Sequence, residues 1–403
     1  MSISIELTEH EPATSRVLPD AVGRALATSR IVSASPDPHI PGNWLLRAGH
    51  NVGAVTVGGP GIDSPVTVRI APKVLITRLF FLLGYSLDPR GAWHDGQVDV
   101  AEHRDLLPAL AHAVERQIER ALRQGLLQGY QETDEAALVV RGRIRETDQI
   151  RRHFGAALPV EVTYDEFTTD IAENRLLRSA VERLLRLPGV PHDVRRRLLH
   201  HRLRLADVTP LVRGQLLPAW HPNRLNARYQ QALHLARAVL TDASPEHAPG
   251  GLRMDGFLFN MNKLFEDFVT VALRESLRGT DLRCVLQDAH HLDEAAAIRM
   301  RPDFVLYQPD GAPLAVVDAK YKAEKRAGYP DADLYQMLAY CTALGLPEGH
   351  LVYAKGNEPH AAHRIRNAGI VIHQHALDLD QAPADLLSDI ASVSRLMRAS
   401  RSV

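Results

Sequence analysis

Two cysteines in 403 residues, Cys284 and Cys341, are too few for a disulfide framework, and neither belongs to a CxxC pair or a Cys/His cluster at zinc spacing. That scarcity excludes a stapled secreted scaffold and points to a reducing compartment. An excess of charge of either sign is missing as well. With 47 Lys+Arg against 48 Asp+Glu the net charge is -1, so the chain does not coat DNA through bulk charge, and any nucleic-acid contact must come from local patches. No run of about 18 apolar residues occurs, and the opening MSISIELTEHEP lacks the basic segment and apolar run of a signal peptide. The expectation is a cytoplasmic protein with no membrane partner. A GxxxxGK(S/T) loop is also missing: Gly58-Gly59-Pro60-Gly61 has no lysine to hold β- and γ-phosphates, so no nucleotide should bind to this chain alone.

What is present is an ordinary globular composition, 45% apolar and 24% charged, at a length that accommodates two or three domains. The reading is an α+β multidomain chain: a β-rich N-terminal domain (1–104), a helical scaffold or stalk (105–250) and a C-terminal α/β domain (251–403). In the first, short apolar runs lie between Pro and Gly residues, and Val66, Val68 and Ile70 alternate as a half-buried strand does, closed by Pro72. Leu75 to Tyr85 reads as a buried helix ending at Gly84. The second has helical periods, with Leu106, Leu110, Val114, Ile118 and Leu122 on one stripe; further helices are predicted over 171–187, 194–205 and 226–240. The stretch TDASPEHAPGG (241–251) has linker composition. The third runs helix (261–273), strands (282–286, 304–307, 314–321), helix (334–344), strand (351–354).

The chemistry concentrates in RPDFVLYQPDGAPLAVVDAKYK (301–322). Pro309-Asp310-Gly311 is a turn signal between apolar runs, which predicts a β-hairpin. If the turn is symmetric about Asp310 and Gly311, cross-strand partners have numbers that sum to 621, so Asp303 faces Asp318. The period of two then puts Lys320 on the same face. Facing carboxylates weaken a sheet by up to about 1 kcal/mol, and a divalent cation between them reverses the sign. Oxygen donors without thiol or imidazole suit Mg²⁺, with Mn²⁺ as a substitute. Such an ion polarises a phosphate and helps to generate hydroxide, while the Lys320 ammonium orients water or stabilises developing charge. Strand 314–317 is almost wholly apolar, which implies burial on both faces and makes chance surface pairing of Asp318 and Lys320 the poorer explanation.

Asp303 followed by Asp318-Ala319-Lys320 resembles the PD-(D/E)XK nuclease motif. The resemblance implies that Glu266, in NKLFEDFV, is the acidic residue on the preceding helix that completes the catalytic and metal set. It also implies that Gln336 and Tyr340, at i and i+4 in DLYQMLAY, form the QxxxY element that contacts DNA or the lysine region. Beyond that core, FLFNMNKLFEDFV (257–269), YDEFTTDIAENRLLRSAV (164–181), LVVRGRI (138–144) and IAPKVLITRLFFLLGY (70–85) are similar, in family order, to the McrC subunit of modification-dependent McrBC restriction systems. Asn260 departs from the family's usual Asp, at a position of packing or capping.

That resemblance implies a C-terminal restriction-endonuclease-like domain that cuts double-stranded modified DNA, with methylcytosine as the mark. It implies a partner too, an McrB-type GTPase forming an AAA+ ring hexamer, whose hydrolysis this chain stimulates. Arg141, Arg143 and Arg145, within LVVRGRI and just after it, are expected at the interface with that partner or with DNA; Arg195 to Arg204 read as a solvated helix face. Asp165, Glu166, Asp170 and Glu173 read as structural acids that pair with arginines. Two other readings remain open on the residues alone: a regulatory adaptor of a ring NTPase with a vestigial nuclease fold, and a stand-alone DNA-repair nuclease.

Overall fold

The computed structural model describes residues 3–399 except 60, 63, 90–105, 155, 188, 213, 242–246, 249–251, 322–330 and 355–359. The boundaries expected at 104/105 and 250/251 and most of the 241–251 linker lie outside the described residues. The chain divides into two compact units, one of residues 1–109 and 244–403, the other of residues 110–243. Residues 1–104 and 251–403, which the sequence separates into two domains, therefore fall in one unit.

Its N-terminal part contains β1 (Ile3–Thr8), β2 (Thr14–Val17), α1 (Asp20–Ser29), β3 (Val32–Pro36), β4 (Asn43–Ala48), β5 (Asn51–Gly58), β6 (Val66–Ala71) and α2 (Ile76–Leu87). Helix α2 continues through Gly84 instead of ending there, because Gly84 is buried in a continuous apolar face. Strands β2, β4 and β3 form one small antiparallel sheet. Strand β1 pairs in parallel with β6, and β6 pairs antiparallel with β5.

The second unit holds α3 (Leu106–Leu122, chiefly in this unit), β7 (Gly129–Ala137), β8 (Arg143–Ile144), α4 (Glu146–His153), β9 (Val160–Thr168), α5 (Ala172–Arg186), α6 (His192–Arg204) and α7 (Gln230–Thr241). The expected helices are present, and α5 packs on α6 and α7 through Leu177, Val181, Leu184, Leu198 and Leu233, all fully buried. The region is not helical throughout, however: β7, β9 and β8 form a three-stranded sheet. The sequence hides it because β7 (GYQETDEAA) is mostly exposed on both faces, so pairing with β9 holds it extended and no apolar alternation marks it.

The C-terminal part comprises β10 (His247–Ala248), β11 (Leu252–Asn260), α8 (Met261–Ser276), β12 (Arg283–Leu286), β13 (His290–His291), β14 (Arg299–Met300), β15 (Phe304–Tyr307), β16 (Pro313–Lys320), α9 (Asp331–Leu344), β17 (Glu348–Ala354), β18 (His360–Arg364), β19 (Val371–Leu377) and α10 (Pro383–Ala399). Strand β11 pairs antiparallel with β5 and completes the N-terminal sheet. The rings of Phe81 and Tyr85 on α2 lie 5.7 and 5.6 Å from Phe268 on α8, which fastens the two parts of this unit together.

Six strands then form a mixed sheet in the order β12-β15-β16-β17-β19-β18. Helix α9 covers β16, β17 and β19, with Met337, Tyr340 and Cys341 buried against Val316, Leu351 and Ile372. The approach is close enough that a Cβ on Gly349 of β17 would lie 2.5 Å from Cys341 Sγ and from Met337 Sδ. Helices α8 and α10 pack on each other and on β16. Among the described residues no helix is long and apolar enough to cross a membrane.

Candidate functional site

The hairpin joining β15 to β16 has the expected register away from its turn: Phe304 pairs with Val317, Val305 with Val316 and Leu306 with Ala315, each summing to 621. The turn itself is one residue longer than the symmetric two-residue loop. Gln308 N donates to Ala312 O at 2.9 Å, Gly311 N donates to Gln308 O at 3.0 Å, and Gly311 adopts φ +88°. This is a three-residue loop built on a type I turn with a left-handed third residue. Tyr307 then faces Pro313, a sum of 620, and a bulge between Leu306 and Tyr307 restores the register. Turn and bulge shift by one residue in opposite directions, so Asp303 still arrives opposite Asp318.

Both carboxylates are buried, with Asp303 8% and Asp318 2% exposed. Asp303 accepts hydrogen bonds from Ala319 N (2.9 Å) and from Gln287 Nε2 (2.8 Å). Asp318 Oδ2 forms an ion pair with the Lys320 ammonium. Burial, and next the Asp318 charge, push the Asp303 carboxyl up to about 8. Burial alone would lower the Lys320 ammonium, but the Asp318 carboxylate outweighs it and holds the lysine above its usual value. Lys320 is thus one ammonium among three carboxyl groups, Asp303, Asp318 and Glu266.

Glu266, half-buried on the second turn of α8, accepts a hydrogen bond from Gln287 Nε2, and the same amide nitrogen donates to Asp303. Its carboxyl is raised by burial and then by neighbouring Asp267. Sequence reasoning missed Gln287. It follows β12 with φ +50°, its N–H donates to Asp303 O at 3.0 Å, and Arg301 Nε donates to its carbonyl at 3.0 Å. Its left-handed backbone is the signal of a special role, and backbone conformation is not legible in one sequence.

On α9, Gln336 Nε2 donates to Tyr340 Oη at 2.6 Å, so the i, i+4 pair is joined as its spacing predicts. Burial, then the Asp318 charge, push the Tyr340 hydroxyl up to about 12. On the other side of the strand end, Tyr321 donates to the fully buried Glu9 at 2.6 Å, and its ring approaches Phe265, the neighbour of Glu266, at 6.0 Å. This tie between the two parts of the unit was also missed.

In the second unit, Arg141 stacks over Tyr164 at 4.8 Å, Arg143 is exposed, and Arg145 pairs with Asp134 (3.1 Å), Asp148 and Glu161 (3.6 Å). Arg195 donates to the carbonyls of Leu185 and Leu187, and Arg197 pairs with Glu115 at 2.9 Å, so part of that arginine run is internal and not a solvated face. Asp170 pairs with Arg175 as expected, at 2.8 Å on both oxygens.

Among the described residues no three His, Cys, Asp or Glu side chains converge as a ready metal-ligand group. Asp303 and Asp318 suit a hard cation as a pair, because Mg²⁺ characteristically takes one or two carboxylates and fills its remaining positions with water and phosphate oxygens. Glu266 reaches them through Gln287.

A family model described as "McrBC 5-methylcytosine restriction system component" matches residues 46–354, a span that contains every residue of this corner except Glu9. The fold is similar to a chain of the refined half-complex from the tetradecameric assembly of Thermococcus gammatolerans McrB AAA+ hexamers with bound McrC. Identity is 18% over 98% of this chain and 100% of that one, with a TM-score of 0.59. A chain of the Thermococcus gammatolerans McrBC complex is 20% identical over 68% of this chain and 88% of its own, with a TM-score of 0.40. Comparison with curated proteins returned no match.

Proposed function

Because the chain belongs to the McrBC 5-methylcytosine restriction system component family, we propose that it is the subunit of such a system that cuts DNA, with a PD-(D/E)XK active site. The observation that carries this reading is the buried Asp303–Asp318 pair with Lys320 beside it. A core that only packs has no use for two facing carboxylates, one held to a proton up to about pH 8. Asp303 and Asp318, with Glu266 near them through Gln287, would hold Mg²⁺, which when bound would polarise the scissile phosphate and lower the pKa of water.

The chain's own residues do the rest. Lys320 stays protonated at neutral pH, so it serves as a fixed positive charge for the phosphorane oxygens and not as the acceptor of the water's proton. Ala319 N–H and Gln287 fix the Asp303 carboxylate in one rotamer. Tyr340, held by Gln336 and buried beside the carboxylates, limits water at this face.

The partner is an McrB-type AAA+ GTPase, as the assembly of the structural neighbour suggests, and the substrate is methylcytosine-bearing duplex DNA. The test is cleavage of methylated plasmid by the complex with GTP and Mg²⁺. Asp318→Ala should abolish cutting while GTP turnover persists. Wild-type complex that stimulates hydrolysis yet leaves DNA whole would make the chain an adaptor, and cutting by the purified chain alone would make it a free-standing nuclease.

A further inference from the structure

A cleft of about 440 Å³ opens where the end of α1, the start of β3 and the β4–β5 turn meet. Its polar lining is basic, the exposed Arg30 and Arg47 with the half-buried His10 and His50, beside Ser33 and Asn51. No acidic side chain lines it, and among the described residues no carboxylate pairs with Arg30, Arg47, His10 or His50. Arg30 caps the C-terminus of α1, where helix carbonyls balance part of its charge. Arg47 has no such compensation. His10 Nε2 is buried without a hydrogen-bond partner, and burial, then Lys73, His50 and Arg47, hold its imidazole below the usual value. Of the two carboxylates adjacent to His10 in sequence, Glu9 is turned away to Tyr321 Oη and Lys73 N, and Glu11 is exposed and does not line the cleft.

Backbone strain concentrates here too. Of the six described non-glycine residues with positive φ, His10 (54°) and Arg30 (58°) both line this cleft, and a third, Gln287, lies between the candidate catalytic acids. Such conformations are strained and accumulate at ligand sites. Two guanidinium groups and two imidazoles thus gather around one space with no carboxylate among its lining residues.

We propose that this cleft binds a phosphate group, with Arg30, Arg47, His10 and His50 as its donors. Its volume is in the range of small-ligand pockets and admits a phosphate with its attached sugar. The phosphate comes either from a DNA strand or from free phosphate in solution. The cleft is joined to the catalytic helix: Met261 N, which opens α8, donates to His50 O at 2.9 Å. Glu266 follows five residues later, about 7.5 Å along the helix axis. For the DNA source the inference rests on the nuclease reading, since a strand lying in this cleft would continue along α8.

The test uses the full chain in EDTA, so that no cutting occurs, with two probes: inorganic phosphate by calorimetry and a 20-bp duplex by anisotropy over a salt series. Arg47→Gln should weaken binding of the phosphate source about tenfold, the loss of one charge-assisted contact. Arg47→Lys should recover most of it, and Arg24→Gln, which removes a charge already paired with Asp20, should leave it unchanged. If duplex affinity falls and the slope of log K against log salt shrinks by about one, the source is the DNA backbone. If only inorganic phosphate responds, the source is free phosphate. If neither probe responds to Arg47→Gln or to a second variant, His50→Gln, with circular dichroism intact, the proposal is overturned. Because binding is read without cleavage, a wild-type chain that binds here yet never cuts DNA would overturn the nuclease reading and leave this one standing.

Discussion

Among the described residues, two places set acids opposite each other across antiparallel strands. In the β7–β9 ribbon Glu132 is the partner of Asp165, and both are exposed. At the end of the β15–β16 hairpin the register brings Asp303 opposite Asp318, and both are buried. Water screens the first pair at little cost. The second has lost water, and only Lys320, Gln287 and Ala319 N–H stand in for it. Facing acids are therefore not a site in themselves; burial with too little compensation makes one. Asp170 in the second unit shows the opposite extreme, where Arg175 first and then Thr209 hold the carboxyl down to about 2.

The comparison is broken most directly by removing charge from each pair. Asp318→Ala or Lys320→Ala should reduce cleavage of methylated DNA by at least about 10³-fold with partner hydrolysis intact, whereas Glu132→Gln and Asp165→Asn should cut at the wild-type rate. Equal losses from both pairs would erase the distinction.

The next effect is on stability. Asp303 has a folded pKa raised above its unfolded value, so the stability linked to its proton is full below about pH 4 and is lost as pH rises through about 8. In EDTA the unfolding free energy should decline over that window by up to about 1.4 kcal/mol per pH unit. Asp303→Asn should flatten the decline, as followed by urea melts at pH 5, 6 and 7, while Asp165→Asn keeps it. An unchanged slope in Asp303→Asn would show that the pair is not strained.

A smaller effect belongs to Gln287→Ala. Without the amide that joins Glu266 to Asp303, the two carboxylates separate, and single-turnover cleavage should slow about tenfold, one hydrogen-bonded contact's worth. Smallest is Asp170→Asn, which should cost about 1 kcal/mol at pH 7 after allowance for partial exposure. Because the folded Asp170 pKa is depressed, that stability exists above about pH 4 and fades as pH falls through about 2, so chemical melts of wild type and variant should converge near pH 2.

Much of the candidate site was legible because it is local. Asp303, Asp318 and Lys320 lie within one hairpin whose register depends on apolar alternation, and Gln336 and Tyr340 lie within one helix. The register came out as predicted although the loop did not, since the bulge beside Tyr307 cancels the extra turn residue. Gln287 could not be read: it enters through a left-handed backbone at the end of another strand, and no spacing rule places it there. The β7–β9 sheet was invisible for a different reason, because exposed acidic strands carry no periodicity. Strand β11 was not read as a strand because its partner β5 lies about two hundred residues earlier, beyond the reach of any local pattern.

That last pairing bears on how the protein comes to exist on the ribosome. Strand β5 has β6 on one side from the start, but its other edge stays open until β11 emerges, after the whole of the 110–243 unit has been made. The Glu9–Tyr321 tie spans 312 residues and forms later still. Closing so long a loop costs only slightly more than closing a short one, yet it takes place late in synthesis. A nascent chain therefore carries an unpaired sheet edge for about half of its translation, open to strand exchange or chaperone capture. Nor can the Asp303–Asp318 pair assemble until the hairpin that holds both residues has been made, late in synthesis.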